Sequence, residues 1–393
     1  MAAVRNCFTA GRRSNPCDLL TYSKMMSLRN MQRQFRKFKT TVQSQEVMMH
    51  ENGIKTHNLL RERPLVVAAA SVDVTELLKQ QSRQPAPHLV EEASRNGLSV
   101  WQLPSCYMKL SKYRLTALVV TTTLGGYMMA PGSLDLSTLA FALAGTTLCS
   151  ASANTINQWL EIPYDSLMNR TKNRPLVRKI ISPAHALLFG LGSGAVGVAV
   201  LAGLVNPATG LLGGLTILLY TTVYTPMKRF SIANTWVGAV VGAVPPVMGW
   251  TACVGEVNPG ALVMAAILYA WQFPHFNALS WSVKGDYAKG GYKMMALSHP
   301  ELCKRVALRY SLLLVPICTA APLCDLTTWW FAADTLPVNG YLIFLAWKFY
   351  KDANFKTAKK LFYFSLVHLP LLMGFLFINK KSWQSSSDET KQI

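Results

Sequence analysis

Apolar residues in this chain come in long unbroken runs, not in alternating or one-sided patterns. From Lys112 onward nine runs follow one another, at about 115–131, 136–160, 183–204, 207–224, 235–254, 260–281, 306–323, 336–350 and 361–378. Most approach the roughly 20 residues that a helix needs to cross a bilayer. The eighth is the shortest. Gly and Pro interrupt several runs, which packed membrane helices tolerate because neighbours satisfy the freed backbone groups. The pattern predicts an all-α polytopic membrane protein with about nine transmembrane helices, occupying 106–379.

The polar connections between the runs differ sharply in charge. Those after the second, fourth, sixth and eighth runs hold Arg170, Lys172, Arg174, Arg178, Lys179; Lys228, Arg229; Lys284, Lys289, Lys293, Lys304, Arg305; and Lys348, Lys351, Lys356, Lys359, Lys360. The connections near 131–136, 204–208, 254–260 and 323–336 contain no Lys or Arg, but do hold Asp135, Glu256, Asp325 and Asp334. Such an asymmetry sets topology, with the basic loops on the face that retains positive charge. Lys380 and Lys381, after the ninth run, break the rule: nine spans put them on the other face.

Composition agrees with a membrane protein. The chain has 393 residues, 51% of them hydrophobic and only 15% charged, with a net charge of +20. A soluble domain carries about 25% charged residues. The basic excess lies in short loops and one terminus, not in a single groove-lining patch, so the expected partner is the lipid bilayer and no nucleic acid. Eight cysteines are scattered singly with no CxxC, which signals neither a zinc site nor covalent haem attachment. Residues 1–45 carry nine basic residues and one acid, Asp18, without an apolar secretory core. This composition is that of a mitochondrial transit peptide. Residues 46–105 are polar, lack periodicity and read as a flexible segment. Residues 380–393 read as a disordered tail.

Three polar constellations stand at the basic ends of the runs. In Asn157-Gln-Trp-Leu-Glu161-Ile-Pro-Tyr-Asp165, an amide and two carboxylates recur at i, i+4 and i+8, so one helix face presents all three. Arg170, Lys172, Asn173 and Arg174 follow directly. Carboxylates near hydrocarbon need a partner or a metal, and oxygen donors beside basic residues suit Mg2+ held together with a phosphate. A helix-end cluster paired only with its own Arg and Lys is the alternative. Pro163, between the two acids, is expected to kink or end the helix. The second constellation is Tyr224-Thr-Pro-Met-Lys228-Arg229, where Lys228 can neutralise a departing diphosphate and Tyr224 can donate a hydrogen bond. A belt tyrosine with a snorkelling lysine is the alternative. The third is Trp271-Gln-Phe-Pro274-His275-Phe-Asn277, continuing to Lys284 and Asp286. Pro274 suggests a broken helix. His185, His299 and His368 stand apart and read as structural.

These blocks, NxxxExxxD with NRTKNRP, YTPxKR and WQFPHFNALSW with KxDY, together resemble the UbiA-type intramembrane prenyltransferases over about 104–378. The third block resembles the branch that prenylates haem. Most of the superfamily carries a second Asp-rich motif where this chain has His275, Asn277 and Asp286. The resemblance implies a helical bundle with a cavity open to lipid, in the mitochondrial inner membrane with its basic face toward the matrix. It implies transfer of farnesyl from farnesyl diphosphate to a vinyl group of haem B, giving haem O. That product would pass to a downstream haem A synthase and so to cytochrome c oxidase. Asn157, Glu161 and Asp165 would hold Mg2+, and Arg170, Arg174 and Lys228 would meet the diphosphate. His275 would be an axial or propionate contact of haem, with Lys284 as another propionate partner. A quinone-precursor ring as acceptor, or a non-enzymatic haem transporter or assembly factor, are the competing readings.

Overall fold

The computed structural model describes residues 100–381; the expected transit peptide, nearly all of the 46–105 segment and the tail beyond 381 lie outside them. A helix α1 (Leu103–Leu110) begins just before the domain boundary expected at 106. The long helices follow: α2 (Tyr113–Met129), α3 (Leu136–Asp165), α4 (Pro183–Val200), α5 (Pro207–Leu218), α6 (Asn234–Val254) and α7 (Pro259–Ser282). After two short helices, α8 (Lys284–Lys289) and α9 (Met295–Ser298), come α10 (Pro300–Leu323), α11 (Trp329–Asp352) and α12 (Phe355–Ile378). Wider π-turns extend α4 through Val205 and α5 through Tyr224, and a last turn carries α5 to Met227.

Among the described residues, six helical rods are long and apolar enough to cross a membrane: 136–165, 183–205, 207–227, 234–254, 300–323 and 355–378. The rods α2, α7 and α11 stand among them without meeting that measure. The run at 336–350, the shortest by sequence, is the middle of a 24-residue helix. The polar pair Asp334 and Thr335 cut the run off from the apolar first turn, Trp329 to Ala333, and so hid its length.

Helix starts are written in the sequence. Asp135 accepts from the backbone N–H groups of Ser137 and Thr138, and Ser182, Asn206 and Asn258 cap α4, α5 and α7, each followed by Pro. A capping oxygen answers an orphan N–H, and Pro next to it loses a donor that had no partner. Asn354 and Thr357 form a reciprocal capping box on α12.

Two expected breaks do not occur. Helix α3 runs through Pro163 to Asp165. The proline ring is exposed there, and the Thr171 hydroxyl, 3.0 Å from the Asp165 carbonyl, supports the last turn. Helix α7 runs through Pro274 to Ser282. Its neighbours hold it on both sides of the proline: Trp271 Nε1 donates to the Ser365 carbonyl at 2.9 Å and Asn277 Nδ2 to the Cys303 carbonyl at 3.0 Å.

The largest buried core joins α6, α7, α10, α11 and α12. Where apolar lipid offers no competing water, close backbone approach is what brings helices together. Gly126 of α2 meets the Pro246 carbonyl, and Gly249 of α6 meets the Thr123 carbonyl, so closely that any Cβ would overlap them. Buried polar pairs add specificity: His368 Nε2 lies 2.9 Å from Asn339 Oδ1, and Asn339 reaches Cys318 Sγ at 3.6 Å.

One end of the bundle gathers the connections that lack basic residues. Asn206 Nδ2 donates to the Thr251 carbonyl at 2.8 Å, and Lys380 Nζ to the carbonyls of Met128 and Ala130 at 2.7 and 3.1 Å. Lys381 pairs with Asp325 at 2.7 Å. The two lysines that break the charge rule thus neutralise carbonyls and an acid of that end.

Gly249→Ala is expected to cost about 1–3 kcal/mol by overpacking the α2–α6 crossing, seen as a lowered unfolding temperature in detergent. Gly192→Ala, where a Cβ meets open space, should leave that temperature unchanged; equal behaviour of the two variants would refute the crossing's role.

Candidate active site

The last turns of α3 carry Asn157, Glu161 and Asp165, which are 0%, 6% and 0% exposed. Their spacing aims them one way, and cations from three other parts of the chain meet them. Lys228, just beyond α5, places Nζ 2.7 Å from Glu161 Oε1. Arg174, in the loop after α3, pairs with Asp165 Oδ2 through Nη1, which also lies 3.7 Å from Glu161 Oε2. Lys112, at the start of α2, donates to Asn157 Oδ1 at 2.7 Å, and Asn157 Nδ2 donates to Thr225 Oγ1 at 3.0 Å. Asn157, expected as a metal ligand, therefore also bridges α2 to α5.

Local geometry explains how α5 delivers its residues. The π-turn Leu219–Tyr224 leaves Thr225 Oγ1 donating to the Tyr220 carbonyl at 2.8 Å. Tyr224 lies with its ring 4.6 Å from the Lys228 ammonium, a position kept open because Gly238 has no side chain. The contact is a cation–π interaction.

The charges are unevenly held. Burial opposes the Lys228 cation, but Glu161 beside it outweighs burial and holds the ammonium well above the usual lysine range. Burial pushes Lys112 well below that range, and Arg174 adds to the effect. Burial likewise pushes the Tyr292 hydroxyl up, with Glu161 next in effect, so it remains a hydrogen-bond donor.

A second layer closes over the carboxylates. Asp286, in α8, accepts from the Arg170 backbone N–H at 3.0 Å, joining the loop after α3 to the segment after α7. The Arg170 guanidinium lies 5.7 Å from the Tyr287 ring, and Arg229 lies 3.8 Å from the Tyr164 ring. The Lys293 N–H donates to the Lys228 carbonyl at 2.8 Å.

Other residues expected at the site stand apart from the carboxylates or at its rim. His275 is half-buried, stacked on Trp271 at 4.7 Å and 2.9 Å from Ser365 Oγ of α12. Asn277 is buried and its amide N–H serves the Cys303 carbonyl, so it fastens α7 to α10. Lys284 is exposed, 5.0 Å from the Trp281 ring. Lys172 is exposed and donates to Asn169 Oδ1 at 3.2 Å; Asn173 is exposed.

Lys112, Thr225, Tyr164, Arg229 and Tyr292 were not singled out by sequence. Lys112 begins the first apolar run, where a lysine reads as a snorkelling residue. Arg229 lay inside a noted motif and could have been taken with it.

Two carboxylate oxygens of the donor set remain open to a divalent cation. Asp165 Oδ1 is buried without a hydrogen-bond partner, and Glu161 Oε2 has only the 3.7 Å approach of Arg174. Among the described residues no three His, Cys, Asp or Glu groups form a cage by themselves. Mg2+ is usually held by one or two carboxylates and completed by phosphate oxygens and water. Two carboxylates with spare oxygens beside cations fit that kind of shared site.

A helical bundle with such a polar mouth at one end suits a substrate with a charged head and an apolar body, and the family comparison agrees. The model for the UbiA prenyltransferase family matches residues 118–368, and the chain belongs to that family. It is 50% identical over 323 residues to the mitochondrial protoheme IX farnesyltransferase of Homo sapiens, covering 82% of this chain and 71% of that one. In fold it is similar to a digeranylgeranylglyceryl phosphate synthase, with a TM-score of 0.60 and 14% identity, over 70% of this chain and 97% of the other. It is also similar to a UbiA homolog from Archaeoglobus fulgidus bound to GPP and Mg2+, with a TM-score of 0.51 and 15% identity, over 69% and 99%.

Glu161→Gln leaves Lys228 buried without its counter-charge and is expected to destabilise by about 3 kcal/mol. The double change Glu161→Gln with Lys228→Met should recover part of that loss in thermal unfolding. Additive losses would show that the pair is not coupled.

Proposed function

We propose that this protein transfers the farnesyl group of farnesyl diphosphate to a vinyl group of haem B, giving haem O. The observation that carries the reading is the buried cluster of Glu161 and Asp165 with Arg174 and Lys228, in a chain half identical to a protoheme IX farnesyltransferase. That identity disfavours a quinone-precursor ring as acceptor, and equally a transporter or assembly factor.

Glu161 and Asp165 would hold Mg2+ through their spare oxygens, with Asn157 as the third donor. The ion supplies Lewis-acid neutralisation of diphosphate charge when bound. Lys228 and Arg174 stand where negative charge grows, and Arg170 stands at the rim. Fixed cations at a low-dielectric site stabilise a departing anion without reorganising, which is often the largest catalytic term. Lys228 suits this role because Glu161 keeps it charged despite its burial.

In the reaction the C1–O bond of the donor breaks and its electron pair leaves with diphosphate. The vinyl π pair then forms the new carbon–carbon bond. The cation left beside the macrocycle takes up the oxygen of water, which loses a proton, to give the hydroxyethylfarnesyl group. An apolar groove of about 310 Å³ between α5, α6 and α7, lined by Leu212, Val240, Val244, Val247, Ala265 and Tyr269, offers walls suited to an isoprenoid chain. Apolar walls also keep water from the allylic cation before the vinyl group attacks. His275, on the same helix as Tyr269, is our candidate haem contact, and Lys284 a propionate partner.

We place the protein in the mitochondrial inner membrane as a multi-pass protein. All nine long helices would cross it, with the basic end and the mouth of the site toward the matrix. Haem O would be released to a haem A synthase.

Purified protein given farnesyl diphosphate, haem B and Mg2+ should form haem O, read by mass; 4-hydroxybenzoate in place of haem B should remain unprenylated. Glu161→Gln and Asp165→Asn should each lower turnover by at least about 100-fold, as loss of a principal electrostatic group does, and chelation of the divalent ion should do the same to the unaltered protein. Near-normal turnover by both variants would remove the carboxylates from the mechanism.

A further inference from the structure

Three buried polar atoms near the carboxylates have no hydrogen-bond partner: Asp165 Oδ1, Arg229 Nε and Tyr292 Oη. Buried polar groups are nearly always paired, because an unpaired one costs about 1–3 kcal/mol. Nine such atoms occur among the described residues, and these three are the ones that gather around the carboxylates, where a ligand could partner them together. Their chemistry is also complementary to one kind of ligand. Arg229 and Tyr292 offer N–H and O–H donors, which suit oxyanions, and Asp165 offers an acceptor, which suits a cation.

Tyr292 is the least accounted for of the three. It is 5% exposed, and it lies beyond the third sequence block in the loop between α8 and α9. Its ring stands edge-on to Tyr164 at 6.1 Å and to Tyr287 at 6.0 Å. Those two rings lie under Arg229 and Arg170 respectively. The loop is fixed in place: Tyr292 N–H donates to the Tyr287 carbonyl at 3.0 Å, and the next N–H, of Lys293, binds the Lys228 carbonyl. The absent side chain of Gly290 leaves room for the Tyr292 ring. The hydroxyl is within electrostatic reach of Glu161, Lys228, Asp165 and Arg174. A hydroxyl so held, facing charged groups yet bonded to none, is pre-set for something that enters between them.

We infer that Tyr292 is a substrate-binding residue whose hydroxyl donates a hydrogen bond to a diphosphate oxygen of the prenyl donor, with Arg229 as a second donor to the same group. The inference rests on the reading of this site as one for a prenyl diphosphate. It would make the loop between α8 and α9 a third wall of the diphosphate pocket, beside the end of α3 and the turn after α5. The loop would contribute the neutral donor, Tyr292, and the turn after α5 the cationic one, Arg229.

The test is Tyr292→Phe in the full-length protein in detergent, measured in two ways. Affinity for the non-hydrolysable farnesyl thiolodiphosphate with Mg2+ is read by calorimetry, without haem and without turnover. Thermal unfolding is read with no ligand present. A hydrogen bond to a charged group is worth about 1.5–3 kcal/mol, so affinity should fall roughly tenfold or more. The unliganded variant should unfold at the same or a higher temperature, because the change removes an unpaired buried hydroxyl. Unchanged affinity overturns the inference. So does a lower unfolding temperature with affinity falling no more than in a Tyr164→Phe control, since that marks a structural hydroxyl. If the unaltered protein does not bind the analogue, the donor reading itself fails and takes the inference with it.

Discussion

Two buried carboxylates at the edge of a bilayer are unstable company unless positive charge is brought to them. Helix α3 itself supplies none. Arg174 arrives from the following loop, Lys228 from the end of α5, and Lys112, through Asn157, from the start of α2. The electrostatic demand of Glu161 and Asp165 thus decides which helix ends converge. Lys228 is in turn buried by the convergence and depends on Glu161 for its own charge. Site and fold are therefore one problem at this end of the molecule, whereas the other end is held by glycine contacts, capped helix starts and the pairings of Lys380 and Lys381.

The convergence also explains why the polar machinery sits at the ends of rods that are otherwise apolar. Lipid requires each rod to satisfy its own backbone, so irregular chain, with its spare donors, is available only outside the hydrocarbon. The loops after α3, α5 and α7 supply it, and they are tied together by Asp286 on the Arg170 amide and by the Lys293 amide on the Lys228 carbonyl. Two π-turns interrupt the rods, at the ends of α4 and α5, and the one in α5 bears on the site. It falls where Tyr224 and Thr225 must be offered sideways, in keeping with the frequent occurrence of such turns at functional sites.

Much of this was legible in the chain. Uninterrupted apolar runs gave the helices, and the alternation of basic loops put the three polar blocks on one face. The i, i+4, i+8 spacing put Asn157, Glu161 and Asp165 together. The errors have physical causes. Pro163 and Pro274 carry a general penalty that local packing offset, which no sequence rule evaluates. Asn277 reads as a polar group in need of a function, but the carbonyl it serves belongs to Cys303 on another helix. Lys112 and Tyr292 are ordinary residues made special only by what they face, and pairings between distant loops leave no periodic trace.

Lys380 offers a different lesson. Its ammonium sits on the backbone carbonyls of Met128 and Ala130 at the closing turn of α2, where a helix presents its negative pole. Because main-chain atoms are the receptor, side chains at 128 and 130 can drift without breaking the attachment. The end of the last long helix is thereby fastened to the end of the first, so the bundle closes into a ring held by a contact that mutation on one side cannot easily erase.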